Sequence, residues 1–110
     1  MSTSKFRLNC KNISITYSQC PLDPELVFNF WRNLMKEQEI LYLRFSREKH
    51  QDGGMHLHGI CCLKEKVNRT SATFADVVSN GCTYHPNLKC AWDPQGWDEY
   101  IQKEGWESVA

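Results

Sequence analysis

The sequence predicts an α+β domain in which helices pack on an antiparallel sheet, in a ferredoxin-like or RRM-like arrangement. Three observations predict it: strand-like alternation near the N-terminus, two helices that each open with Asp-Pro, and a hairpin turn between two apolar runs. The predicted order is strand, helix, hairpin, short helix, strand and helix, which is typical of helices covering one sheet. A chain of 110 residues is long enough to bury one core, so we expect a single domain over residues 1–110.

The first strand is predicted over residues 6–17, because apolar and polar residues alternate up to Tyr17. Asp23 and Pro24 then supply an N-cap and a first-turn proline, which together start a helix. This helix is expected to end near Gln38. Its buried stripe follows the spacing i, i+3, i+4, i+7 and i+8, which selects Val27, Phe30, Trp31, Leu34 and Met35.

The middle of the chain is predicted to form a hairpin. Two strands are expected over residues 40–47 and 55–63, and the sequence Gln-Asp-Gly-Gly between them is a strong turn signal. If strand pairing centres near Asp52, Glu48 lies across from His56, and a register slip of one residue still leaves the two as neighbours.

Three further elements complete the chain. Residues 70–78 are predicted to form a short helix, and residues 82–85 a strand after the Asn-Gly break. The last helix opens with Asp93 and Pro94, runs to about Glu104 and stops at Gly105. On this helix, Trp97 and Ile101 are expected to anchor its buried side to the sheet.

Composition places the chain among globular proteins that work inside cells. Hydrophobic residues make up 41% and charged residues 24%, values that are ordinary for a folded soluble domain. No apolar run approaches the roughly 20 residues of a membrane helix, and the first residues lack the apolar centre of a secretory signal. We therefore expect no membrane partner, and we expect the six cysteines to be reduced, mostly buried thiols. The net charge is zero, but Lys5, Arg7 and Lys11 make the first residues basic.

The strongest chemical signal is His56-Leu57-His58 in the third strand. Residues i and i+2 of a strand project from the same face, so both imidazoles lie on one side of the sheet. Glu48, across the hairpin, would add a carboxylate, and two imidazoles with one carboxylate form an open metal site. The competing interpretation is a pair of partly buried polar histidines without a ligand role.

Tyr100 and Lys103 are the second candidate group. They are spaced i, i+3 on the last helix and so share one face. A tyrosine hydroxyl becomes a useful nucleophile when a cation lowers its pKa or when a metal polarises the phosphate it attacks. Lys103 would supply the cation or stabilise charge on the phosphate. The competing interpretation is a simple surface pair.

Taken together, separated segments of the chain resemble the motifs of replication initiator proteins of the HUH endonuclease class, as found in geminiviruses, genomoviruses and related circular single-stranded DNA viruses. The likeness covers residues 6 to 105, although Gly59 stands where a larger apolar residue is common. The matching segments, in order, are Ile13-Ser-Ile-Thr-Tyr-Ser-Gln-Cys20, Glu48 with His56-Leu-His58, Phe74-Ala-Asp76 with Tyr84-His-Pro-Asn87, and Tyr100-Ile-Gln-Lys103.

The resemblance implies the HUH endonuclease fold and a rolling-circle endonuclease that nicks and rejoins single-stranded DNA at a viral origin. Glu48, His56 and His58 would hold Mn²⁺ or Mg²⁺, Tyr100 would form a 5′-phosphotyrosine, and Lys103 would assist it. The expected partner is a stem-loop origin, and the expected location is the host nucleus. The domain is expected to be monomeric, as the N-terminal part of a longer oligomeric protein with a helicase domain. DNA contacts are expected from Lys5, Arg7, Lys11 and the ring of Tyr17, which would stack on a splayed base.

Three alternatives stay open at this point. One is a non-enzymatic nucleic-acid-binding module, because ferredoxin-like sheets commonly bind RNA or DNA. The second is a relaxase or transposase-type nuclease of the same catalytic class, acting on different DNA. The third is a small zinc-stabilised module that uses Cys82, His85 and Cys90, with Cys61 or Cys62 as a fourth ligand; this spacing matches no common zinc pattern.

Overall fold

The computed structural model describes residues 6–49, 54–102 and 107–109, with side chains up to residue 102. This part of the chain forms two helices and seven strands. Their order is β1 (Leu8–Tyr17), α1 (Pro24–Leu34), β2 (Ile40–Lys49), β3 (Met55–Arg69), β4 (Val77–Ser79), β5 (Cys82–Tyr84), β6 (Asn87–Cys90), α2 (Pro94–Ile101) and β7 (Glu107–Val109). Neither helix is long and apolar enough to cross a membrane.

Five of these strands form one antiparallel sheet in the order β6-β1-β3-β2-β7. The first four strands in this order, β6-β1-β3-β2, have the arrangement of a ferredoxin-like sheet. Strands β4 and β5 pair separately, outside the main sheet. The predicted α+β class, an antiparallel sheet with helices packed on it, is therefore confirmed.

Helix α1 covers one face of the sheet and forms the main core with it. Asp23 caps the helix as predicted, because its Oδ1 accepts a hydrogen bond from the Glu25 backbone N–H at 2.9 Å. The helix ends at Leu34 rather than near Gln38, and tighter turns follow it. The buried core residues from α1, its C-cap and the sheet are Leu8, Ile13, Ile15, Tyr17, Val27, Trp31, Met35, Leu43, Phe45, Leu57, Cys61, Leu63 and Val67.

Helix α2 covers the opposite face of the sheet. Asp93 caps it through a 3.1 Å hydrogen bond from the Gly96 N–H, and Pro94 occupies its first turn. Ile101 is fully buried, and so is Ile60 of β3, yet neither belongs to the core under α1. Alternation along β3 turns Ile60 away from that core, toward the face of the sheet that α2 covers.

The segment after β3 departs from the prediction. Residues 70–78 do not form a short helix. Turns come first, in which Phe74 N–H donates to Ser71 O and Asp76 N–H donates to Thr73 O, and residues 77–78 belong to β4. The carbonyl of Ala75 instead accepts a 2.6 Å hydrogen bond from the Tyr17 hydroxyl, across 58 residues of sequence. This tertiary contact ties the backbone of the segment to β1.

The turn between β4 and β5 shows why Asn80 and Gly81 interrupt the chain. Their φ angles are 52° and 80°, and a two-residue hairpin turn of type I′ needs positive φ at both positions. Asparagine and glycine adopt this conformation at the lowest cost. The predicted strand after the turn is β5, whereas β6 was not predicted because its four residues lie next to Pro86 and carry no clear alternation.

The cysteines depart in part from the prediction of reduced, buried thiols. Cys10 and Cys90 form a disulfide between β1 and β6, with their Cα atoms 5.9 Å apart. Cys20 and Cys61 are buried free thiols as expected, and burial raises the pKa of Cys61 to about 12. Cys82 is exposed. The pairing of β1 with β6 places two residues 80 positions apart side by side, and sequence spacing does not show this.

Gly59 provides a first testable consequence of this packing. It pairs with Phe45 across β2 and β3, and a Cβ placed on it would lie 2.4 to 2.9 Å from three atoms of the buried Phe45 ring. We expect Gly59→Ala to lower the free energy of unfolding by about 1–3 kcal/mol, because the ring cannot move away within a close-packed core. Urea unfolding measures this difference.

A second substitution checks the cause. Phe45→Leu alone should destabilise by loss of packing, whereas Gly59→Ala should cost less in the Phe45→Leu background than in the wild type. Equal costs of Gly59→Ala in the two backgrounds would show that the Phe45 ring is not what excludes a side chain at position 59.

Candidate active site

The site is built first on the pairing of β2 with β3. Glu48 lies directly across from His56, as the hairpin pairing predicted, and His58 is the next residue of β3 on the same face. His58 Nε2 lies 2.9 Å from Glu48 Oε1, and their side chains are only 12% and 21% exposed. A partly buried carboxylate and an imidazole therefore meet on the face of the sheet that α2 covers.

Thr16 fixes the other side of the His58 ring. It pairs with His58 across β1 and β3, and its Oγ1 lies 3.2 Å from His58 Nδ1. A hydroxyl both donates and accepts, so Thr16 can satisfy Nδ1 whichever nitrogen carries the proton. Because Nδ1 contacts Thr16 and Nε2 contacts Glu48, the orientation of the His58 ring is fixed from both sides.

His56 stands next to this pair. Its ring is stacked with that of His58 at an interplanar angle of 20°, with 6.4 Å between ring centroids. The prediction that both imidazoles project from one face of β3 is confirmed.

Tyr100 reaches the same site from α2. Its ring lies edge-to-face with the His58 ring at 6.3 Å and is stacked on Trp97 at 5.4 Å. Trp97 itself packs edge-to-face on His58 at 5.6 Å, and its Nε1 donates a 2.7 Å hydrogen bond to the Gly59 carbonyl. Tyr100 is 43% exposed, so its side chain contacts His58 on one side and is open to solvent on the other. The anchoring role predicted for Trp97 and Ile101 is confirmed.

Glu48 and His58 suit a divalent metal ion in chemistry and spacing. Imidazole and carboxylate are both common ligands of divalent metal ions, and imidazole nitrogen is a poorer ligand for Mg²⁺ than for transition-metal ions. Two ligand atoms about 2.1 Å from an octahedral ion and at right angles to each other are about 3 Å apart, close to the 2.9 Å between His58 Nε2 and Glu48 Oε1. Among the residues that the structure describes, no three His, Cys, Asp or Glu side chains converge closely enough to hold a metal ion, so His56 stands beside this pair and has not converged with it.

Of the predicted DNA contacts, Lys5 lies outside the described residues, as does the catalytic candidate Lys103. Arg7 and Lys11 are exposed on or near β1, and their contact with DNA stays a prediction. The prediction for Tyr17 is wrong: the ring is fully buried, so it offers no surface for a base. Its hydroxyl accepts a 3.0 Å hydrogen bond from Trp31 Nε1 and donates to the Ala75 carbonyl, and burial raises its pKa well above the ordinary value.

The zinc alternative is not supported. Cys90 is bonded to Cys10 and so is not a free thiolate, and no three His, Cys, Asp or Glu side chains among the described residues form a metal-binding group. Cys82 is an exposed free thiol.

Sequence reasoning missed one group of residues at the site. Asp98 of α2 contacts Tyr42 and Arg44 of β2, which lie on the same face of the sheet as Glu48. The sequence did contain one signal: Tyr42, Arg44 and Glu48 are separated by even numbers of residues in a strand, which places them on one face of the sheet. It could not identify Asp98 as the partner, because that contact depends on where α2 lies on the sheet.

Comparison with known proteins gives one consistent result. A family model of the geminivirus Rep catalytic domain matches residues 6–109. The replication-associated protein A and the replication-associated protein of Maize streak virus genotype D (isolate Raw) are each 33% identical over 103 residues, or 94% of this chain. The replication-associated protein of Cabbage leaf curl virus (isolate Jamaica) is 34% identical over 103 residues, or 91% of this chain. The chain spans 36%, 28% and 30% of the length of these three relatives.

Proposed function

The chain belongs to the geminivirus Rep catalytic domain family, and from this premise we propose that it initiates rolling-circle replication by nicking and rejoining single-stranded DNA at a viral origin. One observation carries the proposal: Tyr100 of α2 packs against His58, the residue that Glu48 and Thr16 hold between them. The proposed nucleophile and two proposed metal ligands thus come from three separate elements.

In the proposed reaction, Tyr100 is the nucleophile. Its oxygen bonds to phosphorus while the bond from phosphorus to the 3′-oxygen breaks, so the protein carries a 5′-phosphotyrosine. The tyrosine gives up its proton, and the leaving oxygen takes up a proton to become a free 3′-hydroxyl. Attack of a 3′-hydroxyl on the phosphotyrosine reverses these steps and rejoins the strand without ATP, because the ester conserves the energy of the broken bond.

The other side chains prepare this step. Glu48, His56 and His58 would bind Mn²⁺ or Mg²⁺, which supplies Lewis-acid polarisation of the scissile phosphate. Thr16 holds the His58 ring in place, and the stack on Trp97 orients the Tyr100 ring. We propose that Lys103, at i+3 from Tyr100, lowers the pKa of the tyrosine or stabilises charge on the phosphate.

The substrate and the setting are further parts of the proposal. A single strand bends freely enough to bring one phosphate to a nucleophile on the face of a sheet, so we propose the single-stranded part of a stem-loop origin as the substrate. Exposed Arg7 and Lys11 would contact its backbone. We further propose that the domain acts as a monomer within a longer oligomeric protein in the host nucleus.

A covalent-adduct assay tests the function directly. The protein is incubated with Mn²⁺ and a 3′-labelled single strand that contains a viral origin loop, and the products are run on a denaturing gel. We expect the label to migrate with the protein, because the 5′-phosphate of the labelled fragment is bonded to tyrosine. A 5′-labelled copy should give a free, shortened fragment instead.

A duplex control sharpens the assay. The same origin sequence as a fully paired duplex should give little adduct, since a duplex does not present a flexible phosphate. Folded protein that forms no adduct with any of several geminivirus and genomovirus origin loops would contradict the proposed function.

A further inference from the structure

A polar cluster fixes α2 to the sheet on the side away from the histidines. Asp98 Oδ1 accepts hydrogen bonds from the Tyr42 hydroxyl at 2.9 Å and from Arg44 Nε at 3.1 Å. Arg44 Nε also donates to the Tyr42 oxygen at 2.6 Å. On the helix itself, Gln102 Nε2 donates to Asp98 Oδ2 at 2.7 Å and to the Asp98 carbonyl at 3.1 Å. Asp98 is thus bonded both to β2 and to the next turn of α2.

The cluster is partly shielded from water, which strengthens it. The Asp98 and Arg44 side chains are each 20% exposed, so their charges attract more strongly than an exposed pair would. Burial raises the pKa of Tyr42, so its hydroxyl keeps the proton that it donates to Asp98.

Asp98 and its neighbour Trp97 attach α2 to two different strands. Trp97 donates to the Gly59 carbonyl of β3, whereas Asp98 is held by β2. Consecutive helical residues point about 100° apart around the axis, so these two anchors together fix the rotation of the helix. The other anchor, Ile101, lies on nearly the same side of the helix as Trp97, so loss of Asp98 would let the helix roll and move Tyr100 relative to His58.

We propose that Asp98, held by Tyr42 and Arg44, is a positioning residue that sets the rotation of α2 and so the approach of Tyr100 to the Glu48–His58 pair. Asp98 lies two positions before Tyr100 and points to a different side of the helix, so it acts through the helix and not by contact with DNA. The proposal rests on the proposed function of Tyr100 as the nucleophile.

The test is a single-turnover measurement of adduct formation at saturating single-stranded origin DNA with Mn²⁺. We expect Asp98→Ala to lower the rate constant by about 10- to 100-fold, since a misplacement of about 1 Å costs about 100-fold. The final amount of adduct and the dissociation constant for DNA should stay at wild-type values. Tyr42→Phe, which removes only the hydroxyl, should give a smaller loss of the same kind.

The rate constant and the amplitude separate positioning from simple destabilisation. A variant that is partly unfolded gives less adduct at the wild-type rate constant, because the folded fraction reacts normally. Glu99→Ala is the matched control, because it removes a carboxylate from the same helix, next to Tyr100. The Glu99 carboxylate accepts a hydrogen bond from Gln95 within α2, so its loss should leave the attachment of the helix to the sheet unchanged. This variant should react at the wild-type rate.

The outcomes are distinguishable. Wild-type rate constants in both Asp98→Ala and Tyr42→Phe would overturn the positioning role and leave the proposed function intact, as would losses confined to the amplitude. If Asp98→Ala does not fold, the rate constant of Tyr42→Phe tests the positioning role: a wild-type value overturns it, and a lower value at wild-type amplitude supports it. Wild-type protein without adduct would overturn the proposed function itself, and the positioning role with it.

Discussion

Tyr100→Phe is expected to abolish covalent attachment to single-stranded DNA while leaving DNA binding close to wild type. The substitution removes the hydroxyl that forms the phosphotyrosine but keeps the ring that stacks on Trp97 and packs against His58. Loss of a covalent nucleophile removes the reaction path, so we expect the single-turnover rate of adduct formation to fall by at least about 1,000-fold. Denaturing gels measure the adduct, and fluorescence anisotropy of a labelled strand measures binding.

Tyr84→Phe is the matched control for this experiment. Tyr84 lies on β5, outside the main sheet, so removal of its hydroxyl should leave the single-turnover rate of adduct formation unchanged. A non-enzymatic nucleic-acid-binding module makes the opposite prediction, because its activities would survive Tyr100→Phe intact. Adduct formation by Tyr100→Phe at the wild-type rate would mean that another residue is the nucleophile.

Glu48→Gln should show the second large effect, a combined loss of metal binding and nicking. The glutamine has nearly the same shape and can still accept a hydrogen bond from His58, but it lacks the negative charge that attracts a divalent ion. We expect weaker binding of Mn²⁺. The electron paramagnetic resonance signal of free Mn²⁺ measures this binding. We also expect at least about a 100-fold slower nicking rate, since Lewis-acid polarisation contributes several kcal/mol.

Asp76→Asn provides the comparison for the metal experiment. Asp76 and His85 form the other described pair of carboxylate and imidazole, 2.7 Å apart and away from Tyr100. If Mn²⁺ binds at the Glu48–His58 pair, Asp76→Asn should not weaken it. Chelation with EDTA should stop nicking by the wild type, and excess Mn²⁺ should restore it. Nicking that continues in EDTA at the full rate would exclude the proposed metal role.

Local sequence signals predicted the elements well where each element depends on its own residues. The caps Asp23 and Asp93 start both helices where predicted, since a cap acts within three residues of itself. The hairpin register that pairs Glu48 with His56 was predicted because turn and strands are contiguous. The segment 70–78 was predicted wrongly as a helix: residues 77–78 pair in β4 with β5, and Ala75 is bonded to Tyr17, 58 positions away.

The same division holds for the candidate site. Alternation on β3 was enough to place His56 and His58 on one face, and helical spacing was enough to place Trp97 and Ile101 on the buried side of α2. Alternation was not enough for Tyr17, whose burial under α1 turned a predicted DNA contact into a core residue. The contacts of Asp98 with Tyr42 and Arg44 had no sequence signal of their own.

By itself, then, the sequence determined the fold class, the two capped helices, the hairpin register and the shared face of the two histidines. Each of these follows from interactions between residues close together along the chain, with spacings of two for strands and 3.6 for helices. Only the tertiary structure decided that α2 lies over β3, that Tyr100 meets His58 there, and that Cys10 meets Cys90. Those contacts join residues 42 and 80 positions apart, and they arise from the packing of whole elements, which local spacing does not encode.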